Sequence, residues 1–252
     1  MKRPYKIMLI LLGTVAVAVL VIVANVSRSR SQVRGVEVSI RYGKTPMLVD
    51  EQTVVDSILK TVPRLQAMLV KDVDCGVVTE AVTHVPYLKD VSTSVSVSGK
   101  VVVRATQRRP IARLFYAGKE LYFDAEGGIM PVSHLGDCDV LVAGGAFTEP
   151  LREDSLNSQM TALLMVADFL DGEQKYSGLI DQIYIGSDGD IMMVPKLGDQ
   201  SIELGAAEDL DAKFSNLMTF YRKGMPRAGW DTYSKISLKF NNQVVCTKKI
   251  NK

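Results

Sequence analysis

Residues 7–24 form a run of 18 residues without a charge. Its one polar side chain, Thr14, can return its hydroxyl to the helix backbone. At 1.5 Å rise per residue such a helix spans about 27 Å, enough for the hydrocarbon core of a bilayer. The run is longer than the roughly 7–15 apolar residues of a cleavable signal. A signal reading stays open because Ile22-Val23-Ala24 ends in a small residue, although Ile22 is bulky where a second small one is favoured. Lys2, Arg3 and Lys6 precede the run, while Arg28, Arg30 and Arg34 follow it, a slight bias toward a cytoplasmic N-terminus. No later stretch can span a membrane, so the remainder is expected on one side, outside the cytoplasm. The expected plan is a cytoplasmic tail over 1–6, a single transmembrane helix over 7–24, and a serine- and arginine-rich linker over 25–32.

Beyond the linker the hydrophobic period switches between 2 and 3.6. Val36, Val38 and Ile40 alternate with Glu37, Ser39 and Arg41, the pattern of a half-buried strand. Asp50 can cap a helix with Val54, Val55, Ile58 and Leu59 on one face, stopped by Pro63. Asp74 can cap a second, with Val77, Val78, Ala81, Val82 and Val85 inward, closed by Pro86. Val91, Val95 and Val97 then read as a strand, Ser98-Gly99 as a turn, and Val101, Val103 and Ala105 as another strand. The order β-α-α-β-β over 33–106 predicts a sheet covering two apolar helix faces, with Val54, Ile58, Val77, Ala81 and Val82 against Val36, Val38, Val95 and Val103.

Residues 107–252 read as mostly β with two helices packed on the sheet. Strands are expected around 113–115, 121–123, 180–185, 191–194, 201–204, 236–240 and 244–246. One helix starts at about Asp154 or Ser155, its stripe running Leu156, Met160, Leu163, Leu164, Ala167 and Leu170. The other covers about 209–223, with Leu210, Phe214, Leu217, Met218 and Tyr221 on one face and Gly224 at its end. The fold class is thus α+β.

Net charge is +2 and apolar content 47%, which gives no electrostatic case for nucleic acid and leaves ample material for a core. Cys75, Cys138 and Cys246 are far apart and form no CxxC pair, so zinc and redox motifs find no support and at most one internal disulfide could form. No GxSxG, GxxxxGK[ST], HExxH or GxGxxG motif occurs. His84 and His134 are the only histidines and lie in unrelated segments. Asp188-Gly189-Asp190 lacks the later ligands of a calcium loop and reads as a hairpin turn. Asp124 and Glu126, next to Gly127-Gly128, read as a turn before a glycosidase pair. Trp230 and Tyr233 are read either as a contact surface or as core anchors.

Several segments in order resemble the FtsQ/DivIB family of bacterial cell-division proteins. Val85-Pro86-Tyr87-Leu88-Lys89-Asp90-Val91 resembles the family's helix-to-strand passage. Gln107-Arg108-Arg109-Pro110-Ile111-Ala112 resembles its inter-domain junction, and Leu121-Tyr122-Phe123-Asp124-Ala125-Glu126-Gly127 its apolar-D-x-x-G turn. Gln107 stands where the family usually has Glu, and Val97-Ser98 where many members carry Trp-Pro. The resemblance implies a POTRA-like domain over 33–106 and a β-rich partner-binding domain over 107–252. It implies a non-enzymatic divisome scaffold in the cytoplasmic membrane at the septum, without cofactor, small-molecule substrate or nucleic acid. Its implied partners are FtsB/FtsL-like coiled-coil proteins, and FtsK-like and septal wall synthase components. The alternative is a membrane-tethered envelope enzyme such as a cell-wall hydrolase, which needs a nucleophile or acid pair; a chaperone of outer-membrane proteins would need tandem POTRA units and a barrel. The candidate partner-binding residues are Ile236, Leu238, Lys239, Phe240, Val244 and Val245, at a sheet edge near the chain end; Arg108 and Arg109 are a candidate recruitment surface.

Overall fold

The computed structural model describes residues 12–20, 31–150, 156–240 and 242–250, and divides into two compact units, Met1–Arg108 and Arg109–Lys252. Residues 12–20 are helical. The rest of the uncharged run and most of the linker lie outside the described residues. Among the described residues no helix is long and apolar enough to cross a membrane.

The first unit follows the order read from the hydrophobic periods. β1 (Gly35–Arg41), α1 (Glu51–Thr61), α2 (Cys75–Thr83), β2 (Leu88–Val95) and β3 (Lys100–Gln107) are joined by short 3-10 turns between the helices. Asp50 accepts from the Thr53 N–H at 2.8 Å and Asp74 from the Gly76 N–H at 2.8 Å, so both expected caps satisfy helix-end donors. The sheet order is β1-β3-β2, with β1 parallel to β3 and β2 antiparallel. Val54 and Ile58 of α1 and Val78, Ala81 and Val82 of α2 are buried, as are Val38, Ile40, Val101 and Val103 of the sheet. Val36 and Val95 are only half-buried. Val77, expected inward, is 38% exposed. The inward stripe of α2 runs 78, 81, 82 and then Val85, and Val77 sits one residue, about 100°, off that line.

Gln107 ends β3 with 4% exposure. Its Oε1 accepts from the Leu48 N–H at 2.7 Å, and its Nε2 donates to Thr45 Oγ1 at 3.1 Å and Pro46 O at 2.9 Å. One amide therefore fastens the loop between β1 and α1. A glutamate here could accept from Leu48 but has no N–H for the other two oxygens.

In the second unit, β4 (Pro110–Tyr116), β5 (Lys119–Asp124), β6 (Ile129–Pro131), β7 (Leu141–Gly145), β8 (Ile180–Ile185), β9 (Ile191–Pro195), β10 (Ser201–Gly205), β11 (Tyr233–Ser237) and β12 (Val245–Lys248) build one nine-stranded sheet. Its order is β12-β11-β10-β9-β8-β7-β4-β5-β6. The β4–β7, β7–β8 and β10–β11 pairs are parallel and the rest antiparallel. α3 (Ser158–Gly172) is the crossover from β7 to β8; α4 (Leu210–Lys223) and the short α5 (Met225–Ala228) join β10 to β11. Asn157 caps α3, accepting from the Met160 N–H at 2.8 Å; the start expected from sequence, Asp154 or Ser155, lies outside the described residues. Phe169 of α3 and Phe214 of α4 have ring centroids 5.2 Å apart, so both helices cover the same sheet face. Register carries one row across that face: Leu121, Leu114, Ala143, Ile183, Met193, Ile202, Ile236 and Cys246. From Leu114 to Ile236 this row is buried.

Replacing Ile58 by alanine should cost about 2–5 kcal/mol through cavity formation. Val77→Ser, a surface change, should stay within about 0.5 kcal/mol. Gln107→Ala, which strands the buried Leu48 N–H, should cost about 1–3 kcal/mol. Chemical denaturation of the three variants beside the parent checks all three values.

Candidate partner-binding edge

Two strands terminate the large sheet, and they differ. β6 has three residues and ends in Pro131, which has no N–H. β12 has four and, among the described residues, pairs only with β11 in the sheet order. The Leu238 N–H donates to Glu203 O at 2.8 Å, which turns the backbone groups of Leu238 and Ile236 toward β10. Ile236 faces Cys246 in the antiparallel register, and the Lys249 N–H donates to Thr232 O at 2.9 Å. Alternation along the ladder then directs the N–H and C=O groups of Cys246 and Lys248 away from the sheet. Among the described residues no strand pairs on that side, which leaves these groups as a template for another strand.

The structure spreads the sequence candidates over three environments. Ile236 (0% exposed) and Leu238 (2%) are core, holding β11 under the helices. Lys239 directs its ammonium to Asp190 of the same chain, and that hydrogen bond and charge raise its pKa. Its stem crosses Gly205, where a Cβ would stand 2.8 Å from Lys239 Cγ. Phe240 is 50% exposed and Val245 43%, while Val244 is half-buried against the core. Phe240 and Val245 are thus apolar side chains at the open edge. On the helix side, next to Val244, lies a groove of about 450 Å³ lined by Phe220, Lys223, Arg227, Gln243 and Val244, among others. Periodicity could not have found it, because its walls come from α4, α5 and the β11–β12 loop together.

The other candidates are engaged locally. Arg108 donates from Nε to Leu88 O at 3.2 Å within the first unit. Arg109 forms a two-pronged ion pair with Asp171 in the second, and this bond raises its pKa. Asp124 is 3% exposed, and its Oδ1 accepts from the N–H groups of Glu126 (3.0 Å) and Gly128 (2.6 Å). Gly127 has φ +81° in that turn, so the acidic pair read as a turn is a turn. Asp188 similarly accepts from the Asp190 N–H at 3.1 Å. His84 bonds its own helix at Glu80 O, and His134 is exposed elsewhere. Trp230 packs 5.2 Å from the Tyr221 ring, and Tyr233 5.8 Å from Phe220. The three cysteines are free thiols. Burial raises the thiol pKa of Cys246 and of Cys138; at Cys138 the Arg113 charge opposes the rise. Among the described residues no cluster of three or more His, Cys, Asp or Glu could hold a metal ion.

Residues 109–247 match the family described as FtsQ/DivIB, C-terminal related. Over 184 residues the chain is 26% identical to the cell division protein FtsQ of Rhodothermus marinus. That alignment covers 69% of this chain and 65% of the relative, so the chain spans less than two thirds of that protein's length.

Phe240→Ala should change folding stability by less than about 0.5–1 kcal/mol, since the ring is half in solvent, whereas Leu238→Ala should cost about 2–5 kcal/mol. Thermal unfolding followed by circular dichroism separates the two. Iodoacetamide should label Cys138 and Cys246 slowly in the native fold at pH 8 and faster as pH rises, because the raised pKa lowers the thiolate fraction; peptide mass spectrometry reads each site.

Proposed function

The chain belongs to the FtsQ/DivIB family, and from that membership we propose that it is a non-enzymatic membrane scaffold of bacterial cell division. In this reading residues 7–24 anchor the chain in the cytoplasmic membrane with the N-terminus inside. The β-α-α-β-β unit is a POTRA-like recruitment module and the second unit is the partner-binding domain. The partners are FtsB/FtsL-like coiled-coil proteins, joined by FtsK-like and septal wall synthase components, and the scaffold couples their assembly to wall synthesis.

The observation that supports binding most directly is the open edge of β12. A partner segment in extended form can complete the ladder on the outward groups of Cys246 and Lys248, up to four main-chain hydrogen bonds. Phe240 and Val245 add apolar contact beside it. Lys223 and Arg227 are exposed in the adjoining groove, which suits a partner segment with acidic and apolar residues. Lys239 is tied to Asp190 and serves to brace the β11–β12 loop. With Arg109 held by Asp171, its role is to fix the start of β4.

The test is capture of partners from crosslinked membranes by full-length chain carrying Cys246→Pro. Proline at an outward edge position removes a donor that the protein's own ladder does not use. Capture of division proteins should fall to background while circular dichroism stays native, and Phe240→Ala should weaken it. A folded Cys246→Pro protein that captures its partners at parental strength would exclude strand addition at β12.

A further inference from the structure

The chain enters the first unit through a tight cluster. Ser31 O accepts from the Val70 N–H at 2.9 Å, the Val33 N–H donates to Met68 O at 3.0 Å, and the Arg34 N–H donates to Gly99 O at 2.9 Å. Residues 31–34 are therefore clasped by the 68–72 turns on one side and the β2–β3 hairpin on the other. The hairpin tip is a defined turn: the Gly99 N–H donates to Ser96 O at 3.0 Å, Ser96 and Ser98 hydroxyls meet at 2.8 Å, and Gly99 takes φ +82°. This turn lifts Val97 into solvent at 83% exposure, against 44% for Met47 and 38% for Val77, the next large hydrophobics of the folded unit. Arg34 and Lys71, both exposed and without a salt bridge among the described residues, flank the same end; Asp72 is the acid beside Lys71.

Seven residue steps separate Ala24, the end of the hydrophobic run, from Ser31. Fully extended they reach about 25 Å. The end bearing Val97, Arg34 and Lys71 is thus the end tethered closest to that run.

We propose that this end of the first unit, the Val97 hairpin tip with Arg34 and Lys71, seats on the surface of a bilayer rich in anionic lipid. The inference rests on the reading of residues 7–24 as a membrane anchor. Val97 enters the interfacial zone, where its apolar surface leaves water. The two cations meet lipid phosphates, each worth about fivefold in partitioning at moderate salt. The contact sets the height and tilt of the first unit above the membrane.

The experiment uses the full chain reconstituted in vesicles of phosphatidylcholine with and without phosphatidylglycerol. Val97→Trp adds a reporter to the native Trp230, and the wild-type chain supplies the background. Brominated lipid should quench the added emission, more strongly with phosphatidylglycerol, and Arg34→Glu with Lys71→Glu should abolish that gain. Protein that floats with vesicles while the added emission stays solvent-like and unquenched overturns the tip contact alone. Quenching that ignores lipid charge and survives the double reversal overturns the role of the cations. Protein that fails to float overturns the anchor, and this proposal with it.

Discussion

Burial of a single row of side chains organises the second unit. From Leu114 on β4 to Ile236 on β11, each strand contributes one apolar residue to the face under α3 and α4. Because side chains alternate faces, slipping any strand by one residue would expose its whole apolar set, so this row fixes register across the sheet. The row on the opposite face is fixed at the same time: Phe115, Gly144, Tyr184, Met192, Glu203, Ser237 and Val245. Which atoms the β12 edge presents is therefore decided strands away, by the packing that pins Ile236.

The first unit was legible because its signals are local. Two aspartate caps, two prolines and clean alternation in β1 and β3 each act within a few residues. Val77 shows the limit: a valine-rich nine-residue helix offers more apolar positions than the sheet can cover, and only the rotation of the docked helix selects among them. Gln107 stood out only as a replacement for the family's usual glutamate; its three partners lie 59–62 positions away and appear only once the loop folds back.

In the second unit the long amphipathic helices and the Asp188-Gly189-Asp190 hairpin turn were readable, whereas β7 was not. Its sequence, Leu141-Val142-Ala143-Gly144-Gly145, ends in two glycines, usually a turn signal. The structure supplies the reason: at Gly145 a Cβ would lie 2.4 Å from Ile185 O, so the approach of β8 demands glycine inside a strand. The parallel pairings were likewise hidden, since crossover pairing depends on where α3 and α4 return the chain. At the candidate edge, alternation correctly marked apolar residues but could not say which face each served. Leu238 went to the core and Phe240 to solvent because β11 stops at Ser237 and the chain turns away.

The shortness of β12 also has a mechanical side. A segment zipped onto this strand transmits any pull through a four-residue ladder to β11. A force along the strand axis loads the rungs together and is resisted collectively, whereas a force across it breaks them one after another, as in a peeling joint. β12 would then strip from β11 before the buried Ile236 row felt the load. A strand pair of this length therefore resists load along its axis and yields to load across it.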